Sequence, residues 1–374
     1  MVKAYTELLR HSGNQNLFRA IEISVLASQV NRPLHIHVEG LRGTGKTTVM
    51  RAAQDFLPTI ERIRGCRYNC DPLYPHCPEH FFLTEDEISA IGSEEIPMPF
   101  LEITNSSKIG VMLGSIDLAK LTNHKHPSAS ILPGTIPQAH RGIIFVDGIN
   151  QFVDTSMELT NALLDIMSTK PGRVQIKERG LPIVQLSAQV SIWAASNPDE
   201  EPGPLEKVCR QLAECFDLVV RIGRPTETDA MHHILQQSQN YRSEPRRVIC
   251  TEPLIEAWQQ QQRFQAISAI FDQVRMSEEI KNVITNIYLE FGLDGLQVVE
   301  DIELSSRIHA ALQNRKQVLL EDLMATLPLV LAHRIDLTAL GNVLKYLDFA
   351  HFTQSVPTLP PTIKQQRPSE LRKF

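Results

Sequence analysis

The stretch Gly40-Leu41-Arg42-Gly43-Thr44-Gly45-Lys46-Thr47 follows a short apolar run at 34–38 and matches the pattern G-x-x-x-x-G-K-[ST]. This pattern predicts a phosphate-binding loop, because its glycines let consecutive backbone N–H groups point at phosphate oxygens where a Cβ would block close approach. The residues from Lys46 onward predict a helix, whose positive N-terminal end adds to the attraction. The alternative is a chance match in a glycine turn, but the order of strand, loop and helix favours the phosphate loop.

Each residue of the loop has a chemical reason to contact a nucleotide. Lys46 is predicted to reach the β and γ phosphates, and Thr47 is predicted to ligate Mg²⁺. ATP and Mg²⁺ are therefore the expected cofactors. The residues assigned to nucleotide binding are Gly40, Gly43, Thr44, Gly45, Lys46, Thr47 and Thr48.

Two later apolar runs end in polar residues. The run Gly142–Asp147 ends in a carboxylate, and Asp147 is predicted to hold the water shell of Mg²⁺ at the edge of a buried parallel strand. The run at 191–198 ends in Asn197-Pro198, and its amide could lie beside the γ phosphate or the attacking water. An ordinary strand-ending Asp and a turn-forming Asn-Pro are the alternatives.

A cysteine-rich segment follows the phosphate-loop helix. Three of the six cysteines fall in the pattern Cys66-x₃-Cys70, then Cys77-x₂-His80. This spacing fits a tetrahedral zinc site in which two short chelating turns are joined by a loop. An iron–sulfur cluster is the competing metal, and three unpaired thiols in a Pro-rich loop are the alternative without metal.

The composition is that of an ordinary globular protein, with 374 residues, 42% hydrophobic and 21% charged. A formal net charge of -6 gives no general attraction to nucleic acid or to an anionic membrane. The sequence has no long apolar run and no signal-peptide pattern at its N-terminus, so we expect a soluble, cytoplasmic protein.

The order of predicted elements divides the chain. Strands and helices alternate up to the run 219–222, with a hairpin predicted over 173–190, and helical spacing dominates from there to Asp348. The predicted divisions are a nucleotide-binding α/β domain at 1–228 with a Cys-rich insertion at 66–80, a helical domain at 229–350, and a disordered, basic, Pro-rich tail at 351–374.

Several segments, taken in order, resemble the AAA+ ATPase subunit of magnesium chelatase and its relatives among chelatase-type and chaperone-type AAA+ proteins. Only the phosphate loop is specific by itself, and the order of the others carries the resemblance over nearly the whole chain. It implies a P-loop AAA+ three-layer sandwich with a parallel sheet, followed by an all-helical lid domain. The matching segments are EGLRGTGKTT (39–48), CRYNCDP (66–72), LGSIDLAKL (113–121), HRGIIFVDGIN (140–150), the hairpin residues Lys177-Glu178-Arg179-Gly180, ASNP (195–198), SRIHAAL (306–312) and LPLVLAHR (327–334).

The resemblance implies a ring-forming, ATP-driven motor that remodels a larger partner subunit inserting Mg²⁺ into a tetrapyrrole. Lys46 and Asp147 would be catalytic, Asn197 looks like the sensor-one residue, and Arg307 looks like the sensor-two arginine of the lid, placed to touch the γ phosphate. The implied partners are ATP, further subunits of a homo- or hetero-oligomeric ring, and a larger chelatase-like or integrin-like metal-binding protein. Nucleic acid and membrane are not expected partners.

Two positions depart from the family pattern. The family has Asp-Glu where this chain has Asp147-Gly148, and it has an arginine finger where this chain has Cys215. A missing general base and a missing arginine imply an ATPase that is slow or partner-dependent, unless Asp154 or one of Arg210, Arg221 and Arg224 substitutes. The alternative is a non-hydrolysing, ATP-binding regulatory scaffold or a chaperone-like AAA+ protein in a mixed ring.

Overall fold

The computed structural model describes residues 5–104, 106–116, 131–176, 183–232, 235 and 251–353. Eleven strands are described within these ranges, and the strands at the centre of the fold are buried along their whole length. The strands are β1 (Ile36–Glu39), β2 (Thr59–Ile63), β3 (Ser93–Pro97), β4 (Phe100–Ile103), β5 (Gly114–Ile116), β6 (Ile131–Pro133), β7 (Gly142–Asp147), β8 (Gly172–Ile176), β9 (Val184–Ala188), β10 (Val190–Ser196) and β11 (Leu218–Arg221).

Five of these strands form one parallel sheet in the order β11-β1-β10-β7-β4. Because every strand runs the same way, the carboxyl ends of β1, β7 and β10 lie at one edge. The remaining strands form three antiparallel pairs, β2 with β3, β5 with β6, and β8 with β9. The last of these confirms the hairpin predicted over 173–190, although its turn residues 177–182 lie outside the described residues.

The strands of the parallel sheet send alternate side chains to two separate cores. Ile143 and Phe145 of β7 belong to one core, which also holds the first helix and the C-terminal helices. Their neighbours Ile144 and Val146 belong to the other, together with the β8–β9 hairpin and the cysteines of the 66–80 segment. A strand that is buried on both faces has a continuous run of apolar residues in its sequence. Helices cover both faces of this sheet and give the three layers that the fold class predicts.

The helices before residue 215 cover the sheet, and those after residue 250 form a helical region. They are α1 (Gln15–Gln29), α2 (Lys46–Ala52), α3 (Glu85–Ile91), α4 (Ile109–Leu113), α5 (Thr135–Gln138), α6 (Ile149–Thr155), α7 (Met157–Met167), α8 (Leu205–Val208), α9 (Arg210–Glu214), α10 (Thr251–Phe271), α11 (Glu278–Glu290), α12 (Gln297–Leu312), α13 (Leu320–Leu331) and α14 (Leu337–Thr353).

A buried charge cluster joins the helical region to the sheet. Asp301 of α12, which is 1% exposed, accepts a hydrogen bond of 2.9 Å from Arg334 and lies 3.5 Å from the Lys170 ammonium. Lys170 also donates to Asp217, at the start of β11, over 2.8 Å. Buried charges require such partners, so this cluster fixes how α12 sits on the α/β core.

The chain after the last helix was predicted to be a tail from residue 351. Helix α14 continues to Thr353, three residues past that boundary. Residues 354–374 lie outside the described residues, as do residues 117–121 of the segment LGSIDLAKL.

Candidate nucleotide-binding site

The strand register brings the predicted site residues to one edge of the sheet. Glu39, which ends β1, lies opposite Ser196 of β10, and Ala195 of β10 lies opposite Asp147 of β7. The phosphate loop therefore leaves β1 beside Asn197 and Asp147, which are distant from it in sequence. This is the edge where ligands bind in open parallel sheets.

The loop requires glycine at two positions for its backbone conformation. Gly43 has φ of +80° and Gly45, the residue before α2, has φ of +85°. An added Cβ would meet nothing within 4 Å at either position, so space does not require glycine. The left-handed backbone does, because other residues are strained in that conformation.

Lys46 lies folded against the loop it belongs to. Lys46 is 6% exposed. Its ammonium donates to the Gly40 carbonyl, to the Leu41 carbonyl over 2.9 Å and to Asn197 Oδ1 over 2.9 Å. Burial lowers the pKa of Lys46, and the carboxylates of Asp199, Asp147 and Glu200 oppose that shift. The ammonium is thus a cation held at the mouth of the loop by acceptors that phosphate oxygens can replace.

Thr47 and Asp147 form the predicted magnesium pair. The Thr47 hydroxyl donates to Asp147 Oδ1 over 3.2 Å, and the other carboxylate oxygen lies 3.5 Å from Arg51. A hydroxyl and a carboxylate oxygen side by side are hard ligands of the kind Mg²⁺ takes from protein, with water and phosphate completing its shell. The donor set fits Mg²⁺.

Glu200 is a site residue that the sequence analysis missed. Its carboxylate accepts a hydrogen bond of 3.1 Å from Asn197 Nδ2, so Asn197 joins Lys46 on one side to Glu200 on the other. Asn150 fixes the same turn by donating to the Asn197 carbonyl over 3.2 Å. The sequence signal for Glu200 was the acidic run Asp199-Glu200-Glu201 directly after Asn197-Pro198. Residues in a turn that follows a strand stay close to the sheet edge where the strand ends.

The position that lacks the family's glutamate has a backbone that suits glycine. Gly148 begins α6 with φ of +73° and ψ of 45°, in the left-handed region. A side chain here would have space, since its Cβ would meet only Gln151 Oε1 at 3.6 Å, but it would be strained. Asp154, which was suggested from the sequence as a substitute general base, is exposed on α6, more than one helical turn after Gly148.

Three of the arginines suggested to act on the nucleotide have partners within the protein. Arg307 donates to Glu303 over 2.8 Å and to the Phe271 carbonyl over 3.4 Å, and its guanidinium stacks on the Phe271 ring at 4.5 Å. These contacts are within the helical region, so the role of Arg307 at the γ phosphate stays a prediction. Arg210 has a side chain 84% exposed, paired with Glu214, and Arg221 pairs with Glu39.

The cysteine segment forms a second cluster. The ligand atoms of Cys66, Cys70, Cys77 and His80 all lie within 4.8 Å of one another. Hydrogen bonds from the thiols of Cys70 and then Cys77 lower the pKa of the Cys66 thiol. The four residues named from spacing alone are therefore neighbours in three dimensions.

Comparisons with known proteins agree with this architecture. A family profile described as the AAA lid domain matches residues 282–343. The magnesium-chelatase 38 kDa subunit of Acidiphilium rubrum is 27% identical over 331 residues, covering 86% of this chain and 89% of that protein. The chloroplastic magnesium-chelatase subunit ChlI-2 of Arabidopsis thaliana is 28% identical, covering 80% and 69%.

A crystal structure from Cytophaga hutchinsonii superposes with a TM-score of 0.52 at 14% identity, over 91% of this chain and 89% of the other, which supports the fold. Among the described residues, no helix is long and apolar enough to cross a membrane. The chain therefore has the AAA+ fold, with a match to the AAA lid domain, and is similar over most of its length to magnesium-chelatase subunits.

Proposed function

We propose that this chain binds Mg-ATP at the carboxyl edge of its sheet and acts as a chelatase-type AAA+ motor. The observation that carries the proposal is the convergence of four predicted groups, the ammonium of Lys46, the hydroxyl of Thr47, the carboxylate of Asp147 and the amide of Asn197. In this role it works with a larger partner in ATP-dependent remodelling, or in metal insertion into a tetrapyrrole. The names of the relatives support this, since they are subunits of magnesium chelatase.

The residues of the site divide the work of holding the nucleotide. Lys46 neutralises phosphate charge, and the loop's backbone N–H groups donate to phosphate oxygens. Thr47 and Asp147 would hold Mg²⁺, which would supply positive charge to neutralise the phosphates. Asn197, held by Lys46 and Glu200, orients groups at the γ position.

Hydrolysis is slow in this proposal because two catalytic groups are replaced. General bases contribute roughly a hundred- to ten-thousand-fold, and glycine at 148 cannot accept a proton. Arginine fingers contribute about a thousand- to a hundred-thousand-fold, and Cys215 cannot supply that charge. Glu200 is a candidate base, because its carboxylate contacts Asn197. Arg210, exposed beside Cys215, is the candidate finger toward a neighbouring subunit of a homo- or hetero-oligomeric ring.

A second candidate function is a non-hydrolysing ATP-binding scaffold in a mixed ring. The left-handed backbone at Gly148 favours it, because the chain has adopted a conformation in which a glutamate would be strained by about 1–2 kcal/mol. In this case binding of Mg-ATP sets assembly, and turnover is not part of the function.

The deciding measurement is Mg-ATP binding by calorimetric titration beside phosphate release, with and without a large chelatase-type partner subunit. The motor proposal expects binding that Lys46→Ala abolishes, and slow phosphate release that exceeds the Lys46→Ala background. Release equal to that background in the partner's presence, with binding intact, would reject the motor and support the scaffold. Loss of Mg-ATP binding in the wild type would reject both.

Restoring the missing groups separates the two functions further. The variant Gly148→Glu with Cys215→Arg gains turnover on either proposal, but only a motor gains partner-dependent remodelling with it. Gly148→Asn with Cys215→Arg is the matched control, since asparagine tolerates the left-handed backbone and offers no base.

A further inference from the structure

The cysteine segment is built from two tight turns that face each other. In the first, Cys66 and Cys70 flank Asn69, whose φ is +51°, and β2 continues into the turn through a hydrogen bond of 3.0 Å from Ile63 N–H to the Cys70 carbonyl. In the second, the N–H groups of His80 and Phe81 donate to the Cys77 carbonyl over 3.1 and 2.9 Å. Each turn directs two potential ligands to the same point.

The four ligand atoms are buried and close. Cys70 and Cys77 are 0% exposed, Cys66 is 1% and His80 is 8% exposed. Cys77 Sγ lies 3.0 Å from His80 Nδ1, and all four atoms lie within 4.8 Å of one another. Ligands of one tetrahedral zinc, with bonds of about 2.0–2.3 Å, lie about 3.3–3.8 Å apart, so a small contraction would place all four on one ion.

Backbone donors surround one of the sulfur atoms. The N–H groups of His76 and Cys77 each point at Cys70 Sγ over 3.4 Å. A thiol needs at most one such acceptor contact, whereas a thiolate, the form that binds metal, is stabilised by several. The loop between the two turns is thus folded to support a negatively charged sulfur.

The segment is irregular in backbone, and its buried residues are the four candidate ligands together with Tyr68 and Asn69. Residues 64–84, all described, contain neither helix nor strand. Large apolar side chains on its outer surface face solvent, with exposures of 80% at Leu73, 76% at Tyr74 and 86% at Phe82. The thiols pack into one of the two cores, and coordination bonds between them and His80 would give this irregular loop an internal anchor.

We propose that Cys66, Cys70, Cys77 and His80 bind one structural zinc ion, which closes residues 64–84 onto the α/β domain between β2 and α3. Four protein ligands leave no position for substrate, which is the arrangement of a structural site and not a catalytic one. In an iron–sulfur cluster the ligands are divided among two or four irons and lie further apart, so the spacing favours a single ion. The proposal is independent of the nucleotide site.

The test is the metal content of the full-length protein, purified with reductant and without added chelator. We expect about one equivalent of zinc per chain by mass spectrometry, released when a mercurial binds the thiols. Cys70→Ser should reduce zinc to less than about a tenth of an equivalent, while the matched control Cys215→Ser, outside the cluster, keeps the full equivalent. Lys46→Ala should also keep its zinc.

A histidine pair tests the ligand set, because His76 Nδ1 also lies 3.3 Å from Cys70 Sγ. We expect zinc loss in His80→Ala and retention in His76→Ala and in His80→Cys. Should Cys70→Ser fail to fold, cobalt replacement in the wild type gives the readout through the intense visible bands of a tetrahedral thiolate site. Wild-type protein with less than a tenth of an equivalent of zinc, with iron instead, or with zinc retained in Cys70→Ser overturns the proposal.

Discussion

At the scale of single residues, Asn197 connects the charges of the nucleotide site. Its side-chain oxygen accepts from Lys46 over 2.9 Å, and its side-chain nitrogen donates to Glu200 over 3.1 Å. An amide can do both at once because it carries a donor and an acceptor. A cation and an anion are thereby held on either side of one side chain.

Glu200→Gln should reduce single-turnover hydrolysis about ten- to a hundredfold, because the amide keeps the bond to Asn197 but cannot accept a proton. Mg-ATP affinity, measured by calorimetry, should change less than about threefold. Asp154→Asn on α6 is the matched control and should leave the rate unchanged. The reverse pattern, with Asp154→Asn slow and Glu200→Gln normal, would assign the base to α6.

At the scale of elements, the site depends on where strands stop and how the chain turns afterwards. The phosphate loop joins β1 to α2 through two left-handed glycines, and Gly148 joins β7 to α6 through a third. Each turn is short, so the residues that follow it stay beside the sheet edge. The backbone conformations of these turns, more than their side chains, therefore determine the site's geometry.

Gly45→Ala should lower the free energy of unfolding by about 1–2 kcal/mol, because alanine at φ of +85° is strained although it has space. Mg-ATP affinity should fall with it. Gly341→Ala, within α14 and also without neighbours in 4 Å, should instead raise stability by roughly 0.5–1 kcal/mol. Urea unfolding measures both changes, and an unaffected Gly45→Ala would mean that the loop adopts another conformation.

At the scale of the whole molecule, buried neutral histidines couple stability to pH. His35 and His37 lie at the centre of the sheet, 1% and 2% exposed, and burial lowers the pKa of each to about 3. The Nδ1 of His35 accepts from Ile192 N–H over 3.0 Å, a contact that a second proton would remove. The folded state therefore excludes a proton that the unfolded chain binds.

We expect the free energy of unfolding to decrease as pH falls from about 6.5 toward 3, because the unfolded histidines bind protons in that window and the folded ones do not. Each such histidine contributes about 1.4 kcal/mol per pH unit at most. His35→Gln should reduce the slope of urea-derived stability against pH between 6 and 5. His232→Gln, on an exposed histidine, serves as control, and equal slopes in both variants would contradict the prediction.

The sequence by itself determined the parts of this protein that depend on local pattern. The phosphate loop is encoded in eight consecutive residues, and the buried strands appear as apolar runs because helices cover both faces of a parallel sheet. The β8–β9 hairpin was also predicted from the sequence. The four residues of the proposed zinc site could be named from spacing, but not their distances or burial.

Only the tertiary structure decided which distant groups meet. Glu200 reaches Asn197 because of how the turn after β10 folds back, and the chain passes from β7 into α6 through a left-handed backbone at Gly148. Arg307, assigned by resemblance, contacts Phe271 where helix α12 packs on α10, and its role at the nucleotide stays a prediction. Strand register, turn conformation and helix packing act over distances that no local pattern encodes, so they are fixed only when the whole core assembles.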